Sequence, residues 1–275
     1  DDLYSPQHLP IGPTFLTRPN ESAASINRLL ADFFMEGAVL SGENVGTPAG
    51  SLRTRAKYLG LVTLVDRAVG EILQALAQTG LADNTIVVYT SDHGDMLGDH
   101  GIFGKYCLYE QAVRVPLILR VPWLRYMPSR VSAPFSQIDL VPTLLELLEQ
   151  PIPTGLHGTS RVSLLTGKAK AGLEEDGVII EWVGDHGKAA RRYERGTRDE
   201  NDLLYAPWRT VVTSDGWQLN LCAADRCELY DLRADPDEQK NLFDDPAQVS
   251  RRRDLGDRIR CWQERTGDKV RLPPV

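Results

Sequence analysis

The chain has 275 residues, of which 42% are hydrophobic, and a formal net charge of −7 at pH 7. A chain of this size can bury a substantial core, and its mildly acidic balance argues against a nucleic-acid-binding protein, which would show a basic face. No apolar run approaches the roughly 20 residues of a membrane span, so we expect neither nucleic acid nor membrane as a partner.

The first 50 residues are rich in Pro, Gly, Ser and Asn, which predicts a surface loop with one short helix. The sequence opens on DDLYSPQHLP and reads like the interior of a longer protein. From Ser51 onward, apolar residues recur at helical spacing up to about residue 79. Ser51 suits the N-cap of this helix and Gly80 suits the position just after its end.

Two apolar strands are predicted next. TIVVYT, residues 85–90, is apolar on both faces, as expected for a central parallel strand, and AVRVPLILRVP gives a second strand at about 113–121. A helix follows at 136–151, where Ser136 and Asp139 have the spacing of a capping box. This order of elements predicts an α/β fold with a largely parallel sheet and helices on both faces.

Beyond residue 150 the pattern changes to antiparallel strands. GVIIEW, WRTVVTSDGWQLNL and CELYDL read as strands joined by tight turns, with Asp215-Gly216 as the strongest turn signal. An amphipathic helix closes the chain. We therefore predict an α/β domain over residues 1–174 and a small α+β subdomain with an antiparallel sheet and a helix over residues 175–275.

Four cysteines are too few for a disulfide scaffold in a chain of this size. Cys222 and Cys227 flank AADR and can either pair across that turn or remain free thiols in a reducing compartment. The sequence does not decide between the two, and we lean toward a cytoplasmic location.

The densest group of chemically active residues is TSDHGDMLGDHGIFGK, residues 90–105. Asp92 and His93 follow the carboxyl end of the strand 85–90, where open α/β sheets bind ligands. A carboxylate with an imidazole suits Mn²⁺, Zn²⁺ or Fe, whereas an all-oxygen set would suit Ca²⁺ or Mg²⁺ better. Lys105 adds a cation for an anionic substrate. On spacing alone, the Asp-His pairs can equally be caps and turn formers.

The segment TIVVYTSDHGDMLGDHGIFGKYCLYEQAVRVPLIL closely resembles the sulfatase family of the alkaline phosphatase superfamily. Within that family it is most similar to phosphonate monoester hydrolases and choline-sulfatase-type enzymes. The resemblance continues in YLGLVTLVDRAVGEIL, SQIDLVPTLLELL and CELYDLRADPDEQKNL, and so covers most of residues 50–245. It implies an alkaline-phosphatase-like sheet and metal-dependent hydrolysis of sulfate or phosphate/phosphonate esters.

The resemblance also implies roles for four residues. Asp92 and His93 correspond to metal ligands, and Lys105 corresponds to the lysine that contacts the transferred sulfuryl or phosphoryl oxygens. His100 either orients a ligand or the loop, or forms a turn. Since the pair is Asp-His and not Asp-Asn, we expect Mn²⁺ or Zn²⁺ before Ca²⁺, which stays possible.

Other parts of the family's pattern are missing from this sequence. The resemblance calls for an N-terminal strand that ends in metal-binding aspartates. It also calls for a C/S-x-P-x-R motif, whose first residue becomes the formylglycine nucleophile, and for a histidine that protonates the leaving group. CAADR, residues 222–226, has Ala224 in place of the proline and lies in the C-terminal hairpin, so we reject it as the nucleophile.

We therefore expect the C-terminal half of a sulfatase-like hydrolase. Its partners would be the ester substrate and either the N-terminal half of the enzyme or further copies of the chain. The alternative is a non-catalytic sulfatase-like fragment that binds an anion or a partner protein.

Overall fold

A computed structural model describes residues 3–124, 127–167, 177–183 and 203–275. Contacts between Cα atoms divide the chain into two compact units, Asp1–Trp123 and Leu124–Val275. No helix in the described ranges combines the length and the hydrophobicity needed to cross a membrane.

The first unit contains three described helices and two described strand pairs. The helices are α1 (Ser25–Met35), α2 (Pro48–Gln78) and α3 (Glu110–Val113). The strands are β1 (Val39–Leu40), β2 (Glu43–Asn44), β3 (Val87–Thr90) and β4 (Leu117–Arg120).

Helix α2 begins earlier than its predicted cap. Thr47 is the N-cap, and its hydroxyl accepts a hydrogen bond from the Gly50 N–H at 3.1 Å. Pro48 follows, and the fixed φ of proline suits the first helical position. The predicted cap, Ser51, is instead buried within the helix and donates to the Val45 carbonyl. At the other end Gly80 has φ +72°, as predicted for the residue after the C-cap.

Strands β3 and β4 pair antiparallel, with Val87 opposite Arg120 and Thr90 opposite Leu117. The prediction of parallel strands is therefore wrong for this pair. The second strand is also shorter than predicted, because residues 110–113 form the helical turn α3. The segment between the strands folds back on itself, so β4 starts at the end where β3 finishes. A parallel pair would require the chain to return along the whole strand before pairing.

The second unit contains three described helices and one described sheet. The helices are α4 (Leu140–Leu147), α5 (Val162–Leu165) and α6 (Val249–Thr266). The strands are β5 (Gly177–Trp182), β6 (Trp208–Thr213), β7 (Trp217–Leu221) and β8 (Glu228–Asp231). They pair antiparallel in the order β5-β6-β7-β8, which confirms the predicted antiparallel strands.

The predicted boundary at residues 174/175 and most of the polar segment 188–207 lie outside the described residues. That boundary stays a prediction. Inside the sheet, the turn between β6 and β7 contains Gly216 at φ +89°, a conformation that glycine adopts without steric cost. The Asp215-Gly216 turn signal was thus placed correctly.

The capping box predicted at Ser136 and Asp139 is not formed. Ser136 precedes a 3-10 turn, Gln137–Asp139, and α4 begins only at Leu140. Asp139 is 2% exposed, and its carboxylate pairs with the Arg161 Nε at 2.8 Å and accepts the Thr159 N–H at 2.8 Å. A buried carboxylate requires such a cation and such donors, and local spacing does not reveal a partner 22 positions away.

The core of the second unit lies between the sheet and α6. It consists of Val211, Leu219, Leu221, Cys227, Leu229, Leu255 and Ile259. Leu229 is fully buried there, with 0% of its surface exposed. Replacing it with alanine is expected to lower the free energy of unfolding by about 2–5 kcal/mol, because the methyl groups lose their burial and leave a cavity.

Urea denaturation of the 275-residue chain measures this loss. The matched control is Leu156→Ala, at a site that is 41% exposed, where a change within about 0.5 kcal/mol is expected. Equal losses in the two variants would contradict the assignment of Leu229 to the core.

Candidate active site

The backbone turns sharply where β3 ends. The Ser91 hydroxyl donates to the His93 carbonyl at 2.8 Å, and the His93 N–H donates to Asp92 Oδ1 at 3.0 Å. Along a regular strand two adjacent side chains would point to opposite faces. The turn instead brings the imidazole and the carboxylate together, with His93 Nε2 3.2 Å from Asp92 Oδ2.

Gly94 is required here because the chain approaches the turn before β4 very closely. A Cβ atom at Gly94 would lie 2.0 Å from the Gln111 carbonyl oxygen, a clash between a side chain and the backbone. The Gly94 N–H donates to the Ala112 carbonyl at 2.8 Å. The absence of a side chain at Gly94 therefore lets two backbone segments touch.

The orientation of His93 is set by its own neighbour. Its Nδ1 lies 2.8 Å from the Gly94 carbonyl oxygen, which can only accept, so we assign the proton of the neutral ring to Nδ1. The lone pair of Nε2 then faces Asp92, and the Lys105 ammonium contacts the same nitrogen. An imidazole whose second nitrogen donates to a carbonyl is the usual arrangement of a metal-binding histidine.

Lys105 reaches His93 because the loop before it is closed by Asp95. Asp95 Oδ1 accepts the N–H groups of Leu97 at 2.9 Å and of Gly104 at 3.1 Å. The Met96 N–H also donates to the Gly104 carbonyl at 2.8 Å. Burial raises the pKa of the Asp95 carboxyl, while the two N–H bonds act in the opposite direction. The closed loop fixes the backbone position from which the Lys105 side chain extends.

Arg55 of α2 holds the outer side of the same loop. Its Nε donates to the Leu97 carbonyl at 2.6 Å, and its second Nη donates to Asp99 Oδ1 at 2.7 Å. The guanidinium also lies over the ring of Phe15, 4.5 Å from the centroid. No local sequence pattern predicts this role of Arg55, because its partner Asp99 lies 44 positions later.

His100 lies inside the first unit and is 3% exposed. Its ring stacks on Tyr109 with the centroids 4.0 Å apart, and its backbone N–H donates to the Thr14 carbonyl at 2.8 Å. Its φ of +53° is left-handed, which only a tight turn requires of a non-glycine residue. These contacts support a role in orienting the loop, and that role stays a prediction.

Asp92, His93 and Lys105 thus meet at the surface, where the Asp92 side chain is 81% exposed. Partial desolvation opposes ionisation of Asp92, but the hydrogen bond from the His93 backbone N–H and the charge of Lys105 act in the opposite direction, and the pKa of Asp92 is lowered. Within the described ranges, no three His, Cys, Asp or Glu side chains are grouped to hold a metal ion. The described site therefore offers two donors and one cation.

Cys222 and Cys227 are buried free thiols, which answers the question that the sequence left open. The Cys227 Sγ donates to the Cys222 carbonyl at 3.5 Å. Burial raises the pKa of Cys222 and raises that of Cys227 to about 11. A buried thiol with a raised pKa is a poor nucleophile in its own right.

Replacing Asp95 with alanine is expected to destabilise the chain by about 2 kcal/mol, since the N–H groups of Leu97 and Gly104 lose their acceptor. Asp95→Asn keeps an oxygen that can accept both bonds and is expected to lose less than half as much. Urea denaturation of the wild type and the two variants measures these differences in the free energy of unfolding. An alanine variant as stable as the wild type would show that Asp95 does not close the loop.

Comparison with protein families gave two matches. A model described as "Sulfatase" matches residues 14–150, and a model described as "N-sulphoglucosamine sulphohydrolase, C-terminal" matches residues 98–265. The second match covers more than half of the chain.

Individual relatives agree with these matches. The chain is 28% identical to the multifunctional alkaline phosphatase superfamily protein PehA of Trinickia caryophylli, over 98% of the chain and 52% of that protein. It is 31% identical to a choline-sulfatase of Rhizobium meliloti, over 70% of the chain and 34% of that protein. The chain therefore spans between a third and about half of the length of these relatives.

A solved structure of a related enzyme is also similar to this chain. The phosphonate monoester hydrolase SpPMH from Silicibacter pomeroyi superposes with a TM-score of 0.73 at 27% identity, over 96% of this chain and 52% of the other. The α/β fold class, with its C-terminal antiparallel sheet, is thereby confirmed.

Proposed function

This chain belongs to the sulfatase family of the alkaline phosphatase superfamily, and from that premise we propose that it forms part of a metal-dependent hydrolase of sulfate or phosphate/phosphonate esters. Ester hydrolysis is the chemistry of its family. The observation that carries the proposal for this chain is the meeting of Asp92, His93 and Lys105 at the end of β3.

We propose Asp92 and His93 as metal ligands, in a family whose members generally use a divalent metal. Two features of the structure fit this role. The Nδ1 bond to the Gly94 carbonyl directs the His93 Nε2 lone pair toward Asp92, and a cation, the Lys105 ammonium, already sits on that nitrogen. The mixed nitrogen and oxygen donors favour Mn²⁺ or Zn²⁺, with Ca²⁺ possible.

A bound metal ion would act as a Lewis acid toward an ester oxygen. Lys105 supplies the second positive charge. In the transfer of a sulfuryl or phosphoryl group, negative charge spreads over the non-bridging oxygens, and a preorganised ammonium lowers the energy of that state. Asp95 and Arg55 hold the loop that carries Lys105, and His100 braces the loop from inside the unit.

We further propose that the nucleophile and the remaining metal ligands come from polypeptide outside this 275-residue sequence. The sequence contains no C/S-x-P-x-R motif, and the described metal donors number two. Formylglycine is expected only in that other part. The partner is the N-terminal half of the enzyme, with a homo-oligomer as the other form of assembly.

The second candidate is a non-catalytic fragment that binds an anion or a partner protein. The two-donor site and the missing nucleophile favour it. We also propose a cytoplasmic location, which the unpaired thiols of Cys222 and Cys227 support.

The test compares hydrolysis of an aryl sulfate and an aryl phosphonate by the complete protein from its source and by the 275-residue chain. Turnover by the complete protein alone is the expected result. Turnover by the chain alone would exclude both the fragment hypothesis and the need for a second part. Inactivity of the complete protein with divalent metal supplied would leave the non-catalytic function standing.

A further inference from the structure

The segment 96–105, here called the Lys105 loop, has a backbone that few residues adopt without support. Leu97 and His100 have φ of +46° and +53°, in the left-handed region that non-glycine residues rarely occupy. Three glycines of the loop also have positive φ, namely Gly98, Gly101 and Gly104. A left-handed non-glycine residue costs free energy and persists only where the surrounding structure holds it. The conformation of the Lys105 loop therefore depends on contacts from other parts of the chain.

An N-terminal segment supplies the first of these contacts. Phe15 lies opposite Asp99 in an isolated antiparallel bridge. Two backbone hydrogen bonds of 2.8 Å flank this bridge, from the Leu16 N–H to the Gly98 carbonyl and from the His100 N–H to the Thr14 carbonyl. The N-terminal segment is thus paired with the outer edge of the Lys105 loop, at the positions where the backbone is left-handed.

Arg55 binds both segments at once. Its Nη1 donates to the Pro10 carbonyl at 3.1 Å. Its Nε and Nη2 donate to the Leu97 carbonyl and to Asp99 Oδ1, at 2.6 and 2.7 Å. The guanidinium lies 4.5 Å from the centroid of the Phe15 ring, and the Arg55 side chain is only 12% exposed. Each guanidinium nitrogen therefore has an acceptor, and one rigid planar group joins the N-terminal segment to the loop.

Phe15 also packs directly on the loop backbone. A Cβ atom at Gly98 would lie 3.1 Å from Phe15 Cε2 and 3.2 Å from Phe103 Cζ, closer than most such contacts. Phe103 is 1% exposed and cannot move away easily. The loop is therefore confined between a buried ring on one side and the Phe15 ring on the other.

We propose that residues 10–16 and Arg55 form a clasp that positions Lys105 beside His93. Asp95 closes the Lys105 loop from within, and the clasp holds it from outside in a conformation that its own sequence does not favour. Arg55 is thus a positioning residue, which acts on Lys105 through the loop backbone. The inference rests on the proposed function only for the role of Lys105 in the transfer. It gives a function to part of the segment 1–50, which the sequence predicted as a surface loop.

Hydrogen exchange in the 275-residue chain tests the clasp without reference to activity. The Gly98 N–H donates to the Ile102 carbonyl at 2.8 Å, and the Gly104 N–H donates to Asp95 Oδ1 at 3.1 Å. Neither bond involves Arg55, so both amides report the conformation of the loop. In the Arg55→Ala variant they are expected to exchange at least about tenfold faster than in the wild type, because the loop opens more often.

The matched control is Arg53→Ala, on the same helix, because the Arg53 Nε pairs with Glu43 at 2.7 Å and not with the loop. It is expected to change the exchange of both amides by less than about twofold. The amide of Leu30, which is buried in α1, reports unfolding of the unit and should exchange equally in all variants. Arg55→Lys keeps a charge beside Asp99 but cannot span three acceptors, so its loop exchange should fall between those of the wild type and Arg55→Ala.

Kinetics of the complete enzyme test the effect on Lys105. Arg55→Ala is expected to lower kcat/KM toward an aryl sulfate or aryl phosphonate by about 10- to 100-fold, since a small misplacement of a catalytic group is costly. In a Lys105→Ala background the same substitution should cost less than about twofold, because two residues that act as a unit are not additive. Arg53→Ala should leave kcat/KM unchanged in both backgrounds.

Three results would overturn the proposal. One is unchanged exchange of the Gly98 and Gly104 amides in Arg55→Ala. Another is equally accelerated exchange of the Leu30 amide, because Arg55 would then stabilise the whole unit and not the loop. The third is additive loss of activity in the Arg55→Ala/Lys105→Ala double variant. A complete protein without esterase activity, but with faster loop exchange in Arg55→Ala alone, would refute the proposed function and leave the clasp intact.

Discussion

Replacing Lys105 with alanine is expected to lower kcat/KM of the complete enzyme toward an aryl sulfate or aryl phosphonate by about 10²- to 10³-fold. The Lys105 side chain contacts His93 because its loop is closed by Asp95 and bound by Arg55. The loop therefore holds the ammonium close to the proposed metal site, where a positioned charge is effective in catalysis. Steady-state hydrolysis of the aryl sulfate and the aryl phosphonate measures the effect.

The matched control is Lys240→Ala, which removes the same charge from an exposed position in the second unit. It is expected to change kcat/KM by less than about twofold, because exposed charges act weakly in water. Lys105→Arg keeps the charge in a larger, planar group and should retain part of the activity. If Lys105→Ala were no more damaging than Lys240→Ala, Lys105 would have no role in the transfer.

Elements that depend on local sequence were predicted well. The strands β5 to β8 alternate with turn residues over short distances, and Asp215-Gly216 marks its hairpin directly. The end of α2 is likewise encoded by one residue, Gly80, which adopts the left-handed conformation. In each case the residue that determines the turn or the helix end lies within a few positions of it, so a local sequence pattern can predict it.

Contacts between distant positions were not predictable in the same way. The antiparallel orientation of β3 and β4 depends on how 26 intervening residues fold, and both orientations are compatible with two apolar strands. The pairs Asp139–Arg161 and Arg55–Asp99 join positions 22 and 44 apart. Only the folded chain shows that these charges neutralise each other.

The candidate site depends partly on local sequence and partly on contacts between distant positions. Asp92 and His93 are neighbours in sequence, so their meeting needed only a turn, which the hydrogen bond from the Ser91 hydroxyl to the His93 carbonyl closes. The position of Lys105 depends on a loop that Asp95 closes by accepting two backbone N–H groups. In the sequence, nothing distinguishes Asp95 from the other polar residues around it. The further metal ligands that we propose lie outside this chain leave no pattern in its sequence.

If His93 is a metal ligand, as proposed, replacing it with alanine is expected to lower the metal affinity of the complete enzyme by more than the 10- to 100-fold that loss of a supporting residue costs. The variant should lose its Mn²⁺ or Zn²⁺ on dialysis and its activity with it. Metal analysis by mass spectrometry measures the loss. His157→Ala is the control, since this exposed histidine lies in the second unit.

The same measurement on the isolated 275-residue chain is expected to find less than one metal ion per chain. Two protein donors fall short of the three that catalytic transition-metal sites use, and the Lys105 ammonium occupies the nitrogen that a metal ion would need. Full occupancy in the isolated chain would contradict the two-donor site. Full retention of metal by the His93→Ala enzyme would remove His93 from the ligand set, and a complete enzyme active with Ca²⁺ alone would overturn the preference for Mn²⁺ or Zn²⁺.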